Sequence, residues 1–185
     1  MSELLLNSLS VFYAKDVNYT ELNEVINSGS VLSLRLVDWF VTNYAKKYNV
    51  IYLLNKDNKE ITDEITGNIS QINVFQEYKS QLKAFSKKRF DPFCRRDRID
   101  FVCNGQTINT TVGQLNFFRW ALTVRVIDYI KLNKDIIEDD MNTSLKVTKE
   151  TGKKNKNGRK SRQELSKSAL RGLNKNKLNV CITFD

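Results

Sequence analysis

Apolar side chains recur every three or four residues in two stretches of the chain, 31–48 and 72–89, and this spacing predicts two amphipathic helices. The apolar face of the first helix comprises Leu34, Val37, Phe40 or Val41, Tyr44 and Tyr48. The apolar face of the second comprises Phe75, Tyr78, Leu82 and Phe85. Ser30 or Ser33 can cap the first helix, because a hydroxyl group there accepts an otherwise unpaired backbone N–H.

Pro92, the only proline in the chain, separates the second helix from a predicted β-hairpin. Because proline disfavours helical backbone in the residue before it, the helix should end by about Phe90. In residues 98–112, apolar and polar side chains alternate on either side of Asn104-Gly105. This dipeptide is the strongest short signal for a hairpin turn, so we expect two paired strands.

A long apolar stretch, 113–141, follows the hairpin. Thr111 and Gln114 resemble a capping box at its start. The apolar arc is too wide for a helix with one buried stripe, and it predicts a central core helix or a pair of helices.

The remaining segments are shorter, and together they define the fold class. We expect a short strand or an ordered arm at 4–13, a helical turn or two at 19–26, a strand at 49–54, a loop or short strand at 61–71 and a terminal strand at 178–185. The predicted fold is α+β, with two to three main helices packed on a small antiparallel sheet and a mobile basic loop before a C-terminal strand.

The net charge of +9 is distributed unevenly along the chain. Residues 1–145 contain 18 Lys and Arg and 18 Asp and Glu, whereas residues 146–177 contain 12 Lys and Arg against two acids. This asymmetry predicts a neutral globular body (1–145), a flexible basic segment (146–177) and a strand that returns to the body (178–185).

The strongest functional candidate is a basic cluster at the end of the second helix and in the loop around Pro92. Its cations are Lys79, Lys83, Lys87, Lys88, Arg89, Arg95, Arg96 and Arg98. The lysines at four-residue spacing predict a helical stripe that meets successive phosphates, and Phe90 and Phe93 can stack on bases if they are exposed. The alternative is a solvated face, with the aromatic residues in the core and the arginines paired with nearby acids.

The flexible segment is the second candidate for nucleic-acid contact. Its candidate residues are Lys153, Lys154, Lys156, Arg159, Lys160 and Arg162. Such a segment adds salt-sensitive affinity through counterion release. The alternatives are a solubilising loop and a nuclear-localisation signal.

Four acids near the end of the last predicted helix, Asp135, Glu138, Asp139 and Asp140, allow three interpretations. They can form an ordinary solvated helix end, bind a divalent metal through Asp135 and Asp139, or dock the basic segment when no ligand is present. Neutralising the four acids should tighten nucleic-acid binding if the docking interpretation is correct.

The composition argues against an enzyme. The chain has no histidine, and it lacks a Walker loop, a dinucleotide-binding fingerprint and a nucleophile elbow. Cys94 lies beside Arg95 and Arg96, but no base is evident for it. A carboxylate-based metal nuclease stays open, because Asp and Glu act without histidine. We therefore predict a non-catalytic protein with no cofactor and no metal.

Four phrases, LRLVDWFVTNYAKKYN (34–49), YKSQLKAFSKKRFDPFCRRDRI (78–99), TTVGQLNFFRWAL (110–122) and RKSRQELSKSA (159–169), resemble an uncharacterised protein family of the large nucleocytoplasmic DNA viruses, the giant viruses. The resemblance implies a viral protein that acts in the infected cell or is carried in the virion. It implies no activity and no site residue.

The predicted function is nucleic-acid binding, to DNA rather than RNA, in viral genome packaging or transcription, with viral proteins as further partners. The alternative is a virion structural or scaffold protein whose basic surfaces meet an acidic protein or a membrane. The chain shows neither a signal peptide nor an apolar run of the ~20 residues that a membrane span needs. We expect it in the host cytoplasm (the viral factory), in the nucleus or in the virion, and not secreted.

Overall fold

Residues 2–26, 32–65 and 67–152 are described by a computed structural model. The helices are α1 (Ser2–Tyr13), α2 (Asp16–Ile26), α3 (Leu34–Trp39), α4 (Ala45–Lys47), α5 (Val74–Arg89), α6 (Val112–Thr123), α7 (Val126–Leu132) and α8 (Lys134–Gly152). The strands are β1 (Ile51–Asn55), β2 (Glu60–Thr62), β3 (Ile69–Asn73), β4 (Ile99–Cys103) and β5 (Gln106–Thr110). The α+β prediction is confirmed. The predicted terminal strand at 178–185 lies outside the described residues.

The strands form two small antiparallel sheets, one in the order β2-β1-β3 and one from β4 and β5. In the first, Leu53 pairs with both Thr62 and Gln71. The second is the hairpin that Asn104-Gly105 predicts, and both turn residues have positive φ, at 50° and 75°. Asparagine and glycine tolerate this left-handed backbone, which is why the dipeptide indicates the turn so reliably.

The first segment of the chain is helical, so of the two alternatives predicted for 4–13, a short strand or an ordered arm, the strand was wrong. Leu9 and Tyr13, four residues apart, are both fully buried, and the Tyr13 hydroxyl donates to the backbone oxygen of Leu115 over 2.8 Å. A short apolar run satisfies helix and strand patterns alike, and here packing against α6 selects the helix.

The helix predicted over 31–48 contains a wider turn in its middle. Ser33 caps α3 by accepting the N–H of Leu36, as predicted for one of the two serines. Between α3 and α4 lies a π-helical turn, Phe40–Tyr44, in which the N–H of Ala45 donates to the oxygen of Phe40 five residues earlier. The extra residue in this turn places both Phe40 and Val41 in the core, where the periodicity allowed only one of them.

The stretch after the hairpin forms three helices rather than one or two. The helical conformation is interrupted between α6 and α7 at Arg125, which has a φ of 60°. Its guanidinium donates to the oxygen of Lys59 and to Glu21, each over 2.8 Å, and these contacts hold the left-handed residue in place. The last helix, α8, continues to Gly152 and thus crosses the predicted boundary between body and flexible segment at 145/146.

The core beside the basic cluster is aromatic. Phe90 is 1% exposed, and its ring centroid lies 5.2 Å from that of Phe117, 5.5 Å from that of Trp120 and 5.9 Å from that of Tyr78. Phe90 is therefore not available to stack on bases, and for this residue the alternative of a core aromatic holds. The ring packs edge-to-face on Trp120 and tilted on Phe117 and Tyr78, and it contributes to the core by burial and by its quadrupole.

We expect Phe90→Ala to lower the free energy of unfolding by about 3–5 kcal/mol, because it leaves a cavity among Tyr78, Phe117 and Trp120. Urea titration followed by tryptophan fluorescence measures the change. Val102→Ala, at an exposed apolar position of β4, is the control and should cost less than about 0.5 kcal/mol. Equal losses in the two variants would show that Phe90 is not a core residue.

Candidate nucleic-acid interface

The basic cluster begins on α5, whose helical backbone is interrupted at Ser86, three residues before the end of the helix. Lys79 and Lys83 lie one turn apart and share a face. Ser86 then has φ 56° and ψ 168°, a backbone conformation that residues with a side chain rarely adopt. The predicted stripe of three lysines was therefore wrong at its third member, because the break at Ser86 redirects Lys87 out of the helical register.

The chain that follows, residues 89–92, is attached to the N-terminal half of α6. Asn116 Nδ2 donates to the oxygen of Arg89 over 2.8 Å, and Gln114 Nε2 donates to the oxygen of Pro92 over 2.9 Å. Both amide side chains are only 1% exposed. A buried amide that lost its carbonyl partner would keep its desolvation penalty, so each bond restrains this segment strongly.

Gly113 allows the close approach of the two segments. The N–H of Asp91 donates to the oxygen of Gly113 over 3.2 Å, and a Cβ on this glycine would lie 3.2 Å from the oxygen of Lys88. Thr111 caps α6 by accepting the N–H of Gln114, as the capping box predicts. The side chain of Gln114 donates to the oxygen of Pro92 and accepts a hydrogen bond from the Thr110 hydroxyl, the residue before the cap.

Arg95 is held by its neighbours in the loop after Pro92. Its Nε and Nη2 donate to Asp91 Oδ2 and Oδ1 over 3.2 and 2.9 Å, which makes the ion pair bidentate. The N–H of Phe93 donates to Asp91 Oδ1 over 3.1 Å, and the guanidinium carbon lies 4.5 Å from the centroid of the Phe93 ring. The half-buried ring of Phe93 thus already carries a stacked cation, and Arg95 forms one of the ion pairs that the solvated-face alternative proposes.

The eight predicted cations differ in exposure. Lys83, Lys88, Arg95, Arg96 and Arg98 are exposed, whereas Lys79, Lys87 and Arg89 are half-buried. Arg98 donates to Asn109 Oδ1 across the β4–β5 hairpin over 3.3 Å. Within 2–26, 32–65 and 67–152, no hydrogen bond or ion pair engages the side chains of Lys83, Lys88 or Arg96. These three are the cations that a ligand would meet first.

A carboxyl group beneath the cluster, that of Asp38 on α3, has an unusual pKa. Burial and then the negative charge of Asp91 raise the pKa of Asp38 to about 6, although the charges of Arg95 and Lys87 act in the opposite direction. The sequence pattern did not single out this residue. The feature of the sequence that could have identified Asp38 is its position as an acid in the middle of an amphipathic helix, between Val37 and Trp39, which are both buried.

The acidic patch on α8 is partly engaged within the body. Asp140 accepts hydrogen bonds from Trp39 Nε1, Lys47 Nζ and the Tyr48 hydroxyl. Burial alone would raise the pKa of Asp140, but these three bonds lower it below its ordinary value. One of the four acids proposed to dock the basic segment is thus already paired with α3, with Lys47 of α4 and with Tyr48.

Neither a metal site nor a membrane span is found in the part of the chain that the structure describes. No group of three or more Cys, Asp or Glu side chains there has a geometry that would hold a metal ion, so Asp135 and Asp139 belong to no such group. No helix in these ranges is both long and apolar enough to cross a bilayer. The candidate residues of the second basic segment lie outside the described ranges; they are Lys153, Lys154, Lys156, Arg159, Lys160 and Arg162.

Comparison with known proteins identifies the family. The model of a family of unknown function, DUF7197, matches residues 1–185. The chain belongs to this family. It is 36% identical over 173 residues to the uncharacterised protein L507 of Acanthamoeba polyphaga mimivirus, which confirms the resemblance to a giant-virus family. The match covers 89% of the chain but only 61% of the mimivirus protein. No solved structure matches the chain.

The sequence pattern also did not single out Asn116, one of the two buried amides of α6. Asn116 lies between Leu115 and Phe117, and a polar side chain inside so apolar a helix requires a buried partner. This signal indicates that a partner exists. It does not identify the partner, because the oxygen of Arg89 lies 27 residues away in the chain.

The raised pKa of Asp38 predicts a specific dependence of stability on pH. Between pH 3.8 and about 6 the folded protein keeps a proton that the unfolded chain has released, so stability falls as pH rises through this window. Asp38→Asn removes this loss and should raise the free energy of unfolding at pH 7 by up to about 3 kcal/mol, at roughly 1.4 kcal/mol per pKa unit. Urea titrations from pH 4 to pH 7 measure it.

The matched control is Asp57→Asn, which changes an exposed carboxyl on the turn between β1 and β2. It should leave the pH dependence of unfolding as it is in the wild type. If Asp38→Asn lowered the free energy of unfolding at pH 7, the ionised carboxylate would be a stabilising partner of Lys87 and Arg95. This result would contradict the expectation that the buried carboxylate is destabilising when it is ionised.

Proposed function

We propose that this DUF7197 protein is a non-catalytic nucleic-acid-binding protein, and that its ligand is DNA. The observation that carries the proposal is a rigid basic surface. A loop whose carbonyl groups are anchored by Gln114 and Asn116 presents exposed cations next to the end of α5. Anchored cations lose less conformational freedom on binding than cations on a mobile loop, so more of their interaction energy appears as affinity.

The exposed cations without a protein partner supply the electrostatic part of this proposal. Lys83, Lys88 and Arg96 carry charge that no acid in the described residues cancels by direct pairing. On a body whose charges balance overall, this positive surface is local and gives the ligand an orientation. Phosphate contacts of this kind position a nucleic acid without reading its sequence.

The basic segment 146–177 would add affinity without orientation. Residues 146–177 combine 12 Lys and Arg with only two acids, a composition that attracts phosphate groups non-specifically. In this proposal the loop around Pro92 orients the DNA, and the segment increases the association rate and the total affinity.

The membership in a giant-virus family suggests the biological setting. Packaging or transcription of the viral genome would bring the protein to DNA in the viral factory, in the nucleus or in the virion. Because the chain spans 61% of the length of the mimivirus relative, the partners of that longer protein are a separate question. A scaffold role toward an acidic protein or a membrane is the competing outcome.

Replacing the three exposed cations tests the oriented surface. We expect Lys83→Ala/Lys88→Ala/Arg96→Ala to weaken binding of the full-length protein to duplex DNA. The negative slope of log K against log[salt] should become shallower by roughly 2 to 3, at about 0.9 per lost phosphate contact. Fluorescence anisotropy across a salt series measures both quantities.

A charge-matched control separates this surface from net charge. Lys15→Ala/Lys56→Ala/Lys59→Ala also removes three exposed lysines, from the loop between α1 and α2 and from the turn after β1. It should change the slope by less than half as much. An absence of DNA binding by the wild type at low salt would overturn the proposal, and binding to anionic vesicles or acidic protein instead would favour the scaffold role.

The segment is tested by replacing its six candidate cations, Lys153, Lys154, Lys156, Arg159, Lys160 and Arg162, with alanine. We expect weaker binding by about the same factor for every DNA sequence tested, because counterion release is independent of sequence. The unfolding midpoint in urea should stay at the wild-type value. Unchanged affinity at every salt concentration would remove the segment from the interface.

A further inference from the structure

Arg95 differs from the other exposed cations, because its guanidinium has a fixed plane. Asp91 accepts from Nε and Nη2, and the ring of Phe93 lies 4.5 Å below the guanidinium carbon. Two independent contacts therefore define both the direction and the plane of the group. A lysine ammonium has no plane to define, and an unrestrained arginine samples many.

The group that holds Arg95 is itself held. Asp91 is buried, its Oδ1 also accepts the N–H of Phe93, and its own N–H donates to Gly113 on α6. The orientation of Arg95 is thus transmitted from the core helix through Asp91. Even so, 64% of the Arg95 side chain is exposed, so a ligand can reach the guanidinium from solvent.

The pairing with Asp91 reduces what Arg95 contributes to long-range attraction. A carboxylate at 2.9 Å cancels most of the field of the arginine at the distance of an approaching polyanion. The value of Arg95 to an interface is therefore directional. Asp91 occupies the edge formed by Nε and Nη2. The other edge of the planar group, formed by Nη1 and Nη2, also presents two parallel N–H groups, and their natural partner is a group with two adjacent acceptor atoms.

We propose that Arg95, oriented by Asp91 and Phe93, is the geometric recognition residue of the DNA surface, and that it binds a pair of adjacent acceptors. In DNA this pair is either two oxygens of one phosphodiester or O6 and N7 of a guanine. This inference rests on the proposed function and deepens it. Asp91 is a positioning residue, whereas Arg96, Lys83 and Lys88 act through charge alone.

Arg95→Lys tests the geometry, since it keeps the charge and removes the planar group. We expect roughly a tenfold loss of affinity of the full-length protein for a short mixed-sequence duplex, the order expected when a bidentate contact becomes a single one. The salt dependence should not change. Arg96→Lys is the matched control in the same loop, and it should lose less than about twofold. Anisotropy titrations at constant salt give both values.

A double-mutant cycle tests the positioning role of Asp91. In an Asp91→Asn background, Arg95→Lys should cost less than about half as much, on a logarithmic scale, as it costs in the wild type. A merely structural role for Asp91 predicts the same cost in both backgrounds. If Asp91→Asn does not fold, Phe93→Leu replaces it in the cycle, because it removes the stacking ring and leaves the ion pair.

The source of the acceptors is found by repeating the Arg95→Lys comparison with a duplex of A·T pairs only. An equal loss on both duplexes identifies a phosphodiester, and a loss confined to the mixed duplex identifies guanine. Wild-type binding with no loss in Arg95→Lys overturns this inference and leaves the proposed function intact. An absence of wild-type binding overturns the proposed function itself.

Discussion

The attachment of residues 89–92 to α6 is the contact on which the arrangement of the candidate surface depends. Three backbone groups of this segment, at Arg89, Asp91 and Pro92, bond to Asn116, Gly113 and Gln114. Phe90 lies between them in the aromatic core. Since both amide side chains are buried, the segment cannot leave α6 without exposing or orphaning polar groups. The loop after Pro92 therefore starts from a fixed position, and this position also determines where Arg95 and Arg96 lie.

Some cations of the candidate surface lie near carboxyl groups, and others do not. Burial raises the pKa of Asp38, the nearby charge of Asp91 raises it further, and the charges of Arg95 and Lys87 act in the opposite direction. The inner part of the cluster is thus an internally balanced group of charges, whereas Lys83, Lys88 and Arg96 on the outside form no ion pair with any residue that the structure describes. In the proposed function, the outer cations attract the ligand, and the balanced inner charges maintain the geometry of the surface.

Much of the fold follows from local patterns in the chain. Helix periodicity identified α5, the serine before Leu34 identified a cap, and Asn104-Gly105 identified the hairpin, because each of these depends on residues within one or two turns. The prediction failed at α1, where an apolar run fits two kinds of structure, and at the third lysine of α5, where the chain breaks at Ser86. Both outcomes are set by contacts that are distant in sequence.

The sequence by itself determined the composition of the basic cluster, the proline that ends its helix and the family to which the chain belongs. Only the tertiary structure decided which residues of the cluster are exposed, since Phe90 is buried against α6 and Lys79, Lys87 and Arg89 are half-buried. It also revealed Gln114 and Asn116 as the anchors of the loop. The physical reason is that charge and propensity are properties of single residues and short windows, whereas burial and hydrogen-bond partners belong to pairs of segments that meet only in the folded chain.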